Sequence, residues 1–549
     1  MSTVIRGKAK GQGQWALGHR EPLNANEQFK KDDDGLNVRA RVENIYAHKG
    51  FASIDPSDLR GRLRWWGLYT QRRQGIDGGR TAVLEPHELD DEHFMLRIRM
   101  DGGQLDAAQL RAVAEVSTRF ARDTADVTDR QNVQLHWVRI EDVPEIWRTL
   151  EAVGLSTTEA CGDTPRVILG SPVSGLVDEP VDVTAIIAEL TDRYIGDPAY
   201  SNLPRKFKTS ISWLPDVPYE TNDVAFLGAV HPSLGPGFDL WVGGGLSTNP
   251  ALAKRLGVWV APDEVSTVWE GVIGIFRDYG YRRLRNRARL KFLVNDWGVE
   301  RFRQVLEKEY LGASLPDLAA PPVPDAIIDH IGVHPQRDGR RYIGVAPTVG
   351  RVSGTILAKL ADIAQRYGTG HVRTTPNQKL LVPNVRDADV PAAVDALADI
   401  GLYASPSQWR RTTMACTGIE YCKLAIVDTK DTAAALITEL ERRVPTLDSP
   451  ISIHVNGCPN ACARTQTADI GLKGQIITVA GKQVPGFQVH LGGGLALHAG
   501  FGRKLRGLKV AASELDDYVE RLAIRYLAQR VAAEAFAEWV LRADEEDLR

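Results

Sequence analysis

The chain has 549 residues, 43% of them hydrophobic and 25% charged, with a mean hydropathy of −0.23. Lys and Arg number 67 against 70 Asp and Glu, and a net charge of −3 makes no electrostatic case for nucleic acid or an anionic membrane. There is no run of about 18 apolar residues to span a bilayer, and Met1 to Lys31 lacks the apolar centre of a secretory signal, so a soluble, cytoplasmic, multidomain protein is expected.

Residues 1–80 form an N-terminal arm whose apolar stretch Trp65-Trp66-Gly67-Leu68-Tyr69 should pack on the body. Beyond it the chain repeats itself. Met95-Leu96-Arg97-Ile98 falls on Tyr342-Ile343-Gly344-Val345, and Gly103 falls on Gly350 at the same separation of 247 residues. Thr128 and Gln131 meet Thr375 and Gln378, and Gly154-Leu155 meets Gly401-Leu402. Each copy reads strand, helix (107–120 or 354–367), strand, helix (142–153 or 389–400), an α+β unit with helices on one face of a sheet. Such a period is too long for a solenoid and indicates duplicated domains. The expected division is half-domains over 81–160 and 326–408, with larger domains over 161–325 and 409–549. Asp317 to Pro324 reads as the linker between halves, and Ser513 with Asp516 as a capping box opening a C-terminal helix to about Ala543. Gly243–Gly245 and Gly492–Gly494 match neither nucleotide-binding fingerprint and indicate tight turns or close backbone approach at a cofactor.

The copies differ where chemistry is expected. Under an ungapped shift Arg97 faces Gly344, Arg166 faces Thr413 and Leu169 faces Cys416. One half keeps cations while the other acquires thiols. Four of the five cysteines crowd together as Cys416-x5-Cys422 and Cys458-x3-Cys462, and the fifth is Cys161. A disulfide framework is not expected in a large cytoplasmic protein, and the first spacing fits zinc poorly. Four thiolates without a histidine pair suit an iron–sulfur cluster better. Pro459 suits the first turn of a helix, which would place Cys458 at its start and Cys462 one turn on.

Cys416-x5-Cys422 with Asn456-Gly457-Cys458-Pro459-Asn460-Ala461-Cys462 resembles the sirohaem and [4Fe-4S] motif of assimilatory sulfite and nitrite reductases. Thr128-Asp129-Arg130-Gln131-Asn132, Leu203-Pro204-Arg205-Lys206-Phe207-Lys208 and Ala288-Arg289-Leu290-Lys291-Phe292 are similar to the same family, as is the twofold repeat. The resemblance implies an internally duplicated α+β fold, with two ferredoxin-like half-domains and two larger sirohaem/Fe–S domains in pseudo-twofold arrangement. It implies that Cys416, Cys422, Cys458 and Cys462 hold the cluster and that Cys462 bridges it to the sirohaem iron. Arg130 and Gln131 would meet sirohaem carboxylates. Arg97, Arg166, Lys206 and Lys208 would bind the oxyanion and feed protons, the two lysines pointing to one side of a strand. The Arg-rich stretch Arg282, Arg283, Arg285, Arg287, Arg289 and Lys291 would serve cofactor or donor docking, or else a solvated helix face. Reduced ferredoxin is the implied donor, and the chain is expected to be a monomer that binds no nucleic acid or membrane. Lys206-x-Lys208 favours sulfite, with nitrite reduction to ammonium as the alternative and a non-catalytic iron–sulfur carrier or redox sensor as the remote one. Tyr69 and Cys161 are a candidate thioether pair near the pocket mouth.

Overall fold

The computed structural model describes residues 24–549, so the arm before Asn24 lies outside the described residues. Four five-stranded sheets carry the chain. Two are small and antiparallel. The first joins Leu68–Arg72, Asp90–Ile98, Val133–Val138, Ala125–Val127 and Arg351–Val352; the second joins Gly332–Pro335, Arg341–Val345, Leu380–Val385, His371–Thr374 and Gln104–Asp106. Each small sheet therefore borrows an edge strand from the other copy, since Arg351 pairs with Asp126 and Leu105 with Val372. The arm also enters the first sheet, through Leu68 opposite Leu96.

The repeat holds to the residue in these units. Helices Ala107–Phe120 and Gly354–Tyr367 are 247 residues apart, as are the strands Val133–Val138 and Leu380–Val385. Both helices bury one face, including Val113, Val116, Leu357 and Leu360, in a single core shared by the two half-domains. Gly354 allows their contact, because a Cβ there would lie 2.6 Å from Ala114 O.

The larger sheets are mixed. Leu169–Gly170, Thr209–Ser212 and Val224–His231 run parallel, followed by antiparallel Gly235–Val242 and Lys254–Val260. The second copy repeats this with Thr413–Ala415, Ile453–Asn456, Ile470–Val479, Lys482–Leu491 and Lys509–Ala511. Their cores are separate, around Trp269 and around Trp539.

A pair of glutamines fixes the pseudo-symmetry and corrects the ungapped alignment. Gln131, in left-handed backbone at φ 53°, donates to Gly170 O and accepts from Gly170 N; Gln378, at φ 60°, does the same with Ala415. Gly170 therefore corresponds to Ala415, and the second copy is two residues shorter before this point. Arg166 then faces Arg411 rather than Thr413, and Leu169 faces Met414 rather than Cys416. The second half does carry an arginine there, but Asp329 neutralises it through a two-pronged ion pair at 2.6 and 2.7 Å.

Three other expectations change. The segment after Cys458 is a pair of turns and not a helix, because Ala461 and Arg464 both take positive φ (55°) and Asn456 Oδ1 accepts from Ala463 N at 2.7 Å. The C-terminal helix is Leu515–Gln529 with no side-chain cap; it stops where Arg530 turns extended, and Phe536–Arg542 forms a second helix. Finally, the close approach at the glycine runs is to the protein's own backbone: a Cβ on Gly244 would lie 2.3 Å from Glu220 O, and one on Gly493 2.3 Å from Gln466 O.

Candidate functional site

Pocket residues come from both halves. Arg97 lies on the strand Asp90–Ile98, and Asp129, Arg130 and Asn132 on the turn before Val133–Val138. Arg166, Lys206, Lys208 and Arg289 come from the first large domain, and Asn460, Ala461, Cys462 and Arg464 from the second. They line a cavity of about 840 Å³, mouth included. Seven cationic side chains thus face one carboxylate, Asp129.

Alternation places the lysines. Phe207 is fully buried and donates its N–H to Thr164 O, so its neighbours Lys206 and Lys208 turn to the opposite, pocket side. The segment is extended but precedes the strand Thr209–Ser212. Neither lysine has an ion pair among the described residues. Burial pushes both ammonium groups down, Lys208 to about 7 with Arg130 adding to the effect, and Lys206 further, with Lys208, Arg205, Arg289 and Arg166 around it.

Arg97 donates to Cys161 Sγ at 3.3 Å, and its other nitrogens point at the Gln134 side-chain oxygen. Arg166 is held by Gly162 O at 2.8 and 3.0 Å. Arg130 donates to Asn222 Oδ1 at 2.6 Å and to Val167 O, and burial lowers it to about 9. None of these three has a carboxylate within ion-pair distance. Arg289 differs: Asp223 binds it at 2.7 and 3.0 Å, so its charge is already balanced.

The four cations expected at the substrate, Arg97, Arg166, Lys206 and Lys208, meet Arg130 and Cys462 in this cavity. Gln131 does not; its amide is spent on Gly170 and Thr374 O, and it positions the turn that carries Arg130. The Arg-rich stretch is not one helix face: Arg285–Arg287 make a single 3-10 turn and only Lys291 enters the helix Leu290–Val305. Arg282 is buried on Glu27 and Asn202, Arg285 binds Asp163 at 2.6 and 2.9 Å, and Lys291 donates to Gly245 O and Leu246 O. Arg464, Asp129 and Asn460 were not singled out from sequence. Arg464 stands two residues beyond Cys462, and that adjacency is the signal that could have found it.

The thiols emerge at the carboxyl ends of two adjacent parallel strands, Thr413–Ala415 before Cys416 and Ile453–Asn456 before Cys458. Gly457 N donates to Cys416 Sγ at 3.2 Å. Burial and the neighbouring thiols Cys462 and Cys422 push Cys416 up to about 12, and Cys458 is raised by burial and by the other three. The four sulfurs therefore sense one another, yet among the described residues no three His, Cys, Asp or Glu side chains converge on a single-ion site. Four thiols are the donor set of an iron–sulfur cluster. A polyanionic cofactor also fits the cavity above Cys462, since Arg130 Nε and Arg464 Nη1 are buried without acceptors.

The nitrite and sulphite reductase 4Fe-4S domain profile matches residues 161–315 and 408–549, and the nitrite/sulfite reductase ferredoxin-like half-domain profile matches 87–153 and 334–400. This chain belongs to the nitrite and sulphite reductase family. It is 56% identical over 555 residues to "Sulfite reductase [ferredoxin]" of Mycobacterium tuberculosis, covering all of both chains. It is 37% identical to "Ferredoxin--nitrite reductase" of Synechococcus elongatus, covering 93% of this chain and 98% of the relative. The solved structure of the Mycobacterium tuberculosis NirA protein superposes with a TM-score of 0.95 at 56% identity, over 98% of this chain and 100% of that one. No described helix is long and apolar enough to cross a membrane.

Next to the site, Glu159 is buried with Oε1 unpartnered, and burial lifts its carboxyl to about 8. A raised acid holds a proton in the folded state that the unfolded chain has released, so stability should fall as pH rises from about 4.5 towards 8. Glu159→Gln should flatten that slope in unfolding temperature measured across this range; an unchanged slope would show that the carboxyl is already ionised.

Proposed function

We propose that the protein reduces sulfite to sulfide in six one-electron steps, with reduced ferredoxin as donor, in the cytoplasm and as a monomer. One observation carries the reading: a set of carboxylate-free cations, Arg97, Arg166, Lys206 and Lys208, faces a cavity floored by Cys462. A sirohaem with a [4Fe-4S] cluster would, when bound, supply the redox chemistry that passes electrons from ferredoxin to the substrate. Cys416, Cys422, Cys458 and Cys462 would hold the cluster, with Cys462 also facing the sirohaem cavity, and Arg130 and Arg464 would meet sirohaem carboxylates. Arg97 and Arg166 orient oxyanion oxygens by charge-assisted hydrogen bonds. Lys206 and Lys208, depressed by burial, hold protons they can give up as oxygen leaves as water.

Sulfite carries more charge than nitrite, and Lys208 supplies the added cation. The test compares kcat/KM for the two anions with reduced ferredoxin, in wild type and Lys208→Asn. The wild type should favour sulfite, and the variant should shift the ratio towards nitrite by about tenfold or more, the scale of one charge-assisted hydrogen bond. A wild type that favours nitrite would move the protein to nitrite reduction with the same residues at work. A Soret band with a red band in the absorption spectrum separates either enzyme from an iron–sulfur carrier.

Tyr69 and Cys161 are both close to Arg97, with Cys161 Sγ on its guanidinium and the Tyr69 ring 5.4 Å from Arg64. A thioether between the Tyr69 ring carbon and Cys161 Sγ forms by loss of two hydrogens to an external oxidant such as dioxygen. An intact mass without that loss removes the cross-link.

A further inference from the structure

Arg72 ends the edge strand Leu68–Arg72 that the arm adds to the first small sheet, and no motif marks it. Its side chain is 1% exposed, which is unusual for arginine. Its guanidinium donates only to neutral acceptors: Ile76 O at 3.0 Å, Asp77 O at 3.1 Å, Thr81 Oγ1 at 3.0 Å, and Lys423 O and Ala425 O at 3.4 Å. Its backbone N–H bonds Tyr421 O at 2.8 Å. No carboxylate lies within ion-pair distance, and Nε has no partner. A buried cation without a counter-charge is costly, so something anionic is expected beside it.

The acceptors show where. Tyr421, Lys423 and Ala425 bracket Cys422, and the Cys422 sulfur acts on the guanidinium more strongly than Asp77 does. We propose that Arg72 is the counter-charge of the iron–sulfur cluster, tuning its potential from the Cys422 side. This rests on the reading that the four thiols hold a cluster. A cluster that accepts an electron becomes more negative, and a fixed cation nearby favours that state. Arg72 would thus keep the cluster reducible by its donor while tying the arm to the cluster loop. In the second half-domain the matching position is Arg337, whose N–H bonds Leu176 O as that of Arg72 bonds Tyr421 O, but Arg337 is exposed and no cysteine stands beside it.

The test is the midpoint potential of the holoprotein, from a redox titration followed by the electron paramagnetic resonance of the reduced cluster. Arg72→Gln should make reduction about tenfold less favourable, a shift of about 59 mV to more negative values for a one-electron couple. Arg72→Lys keeps the charge but loses the forked bonding, and should stay near wild type. A second pair leaves Arg72 in place: Thr81→Asp puts a carboxylate against the guanidinium, whereas Thr81→Asn has the same shape without charge. The Asp variant should show the negative shift and the Asn variant should not. Potentials unmoved in Arg72→Gln, or shifted equally in Thr81→Asp and Thr81→Asn, would overturn the role of Arg72 alone. A wild-type holoprotein with no cluster signal, iron or labile sulfide would instead overturn the cluster reading beneath it.

Discussion

Lys206→Met should lower kcat for sulfite by about 10²–10³-fold, within the range that a positioned proton donor contributes. The ammonium stands among Lys208, Arg205, Arg289 and Arg166, and burial pushes it well below its ordinary range. Such a group gives up its proton readily and regains it most easily when an anion enters. Lys206→Arg separates the two roles: it should restore much of the affinity, read in KM, while leaving kcat low, because a guanidinium holds its proton. Equal recovery of kcat and KM would show that only charge matters at this position.

The pocket also predicts a pH limb. Lys208 sits at about 7 without an anion, and substrate or an anionic cofactor raises it. The cation is lost as pH rises, so kcat/KM should fall above about 7 or somewhat higher. Lys208→Arg should move that limb to higher pH.

The duplicated half-domains were legible because both copies keep the same turns and helix lengths, and turn residues such as Gln131 and Gln378 recur at a fixed separation. Local pattern cannot show strand exchange. Gln104–Asp106 and Arg351–Val352 each read as an ordinary strand of their own copy, and only the packed pair of helices brings them to the other sheet. The cluster cysteines and substrate cations could be found because their chemistry needs particular residue types at close spacing. Gln131 shares a motif with Arg130, yet the two side chains diverge, one to backbone and one to the cavity; sequence adjacency does not settle direction in a left-handed turn. The helix expected after Cys458 fails for a similar reason, since nothing in Pro-Asn-Ala-Cys announces positive φ at Ala461. Arg72 and Asp163 are the harder cases. Their partners lie hundreds of residues away or in the arm, and their meaning comes from what they are buried against.

Asp163 carries the largest expected structural effect. It is 1% exposed and takes Arg285 at 2.6 Å, Lys30 at 3.3 Å and Arg205 at 3.6 Å; Lys30 also reaches Leu203 O at 2.9 Å. One carboxylate thus pins the arm helix Ala25–Asp32, the Arg-rich loop and the segment leading into Lys206. Asp163→Ala leaves Arg285 and Arg205 without their carboxylate and Lys30 with Glu27 alone, a loss of about 3–5 kcal/mol for a broken buried pair. The lower end is expected, because Arg205 and Arg285 keep 32% and 24% of their side chains exposed. The cations hold the Asp163 pKa well below 3.8, so its contribution is full above that value and is lost as pH falls below it. Proteolysis in a urea series should cut the variant within residues 24–60 at concentrations where the wild-type arm resists, and KM for sulfite should rise as Arg205 and Lys206 lose their anchor. An unchanged cleavage pattern with an unchanged KM would place the arm's anchorage elsewhere, on Trp65 Nε1 to Ser201 O and the Arg39–Glu151 ion pair.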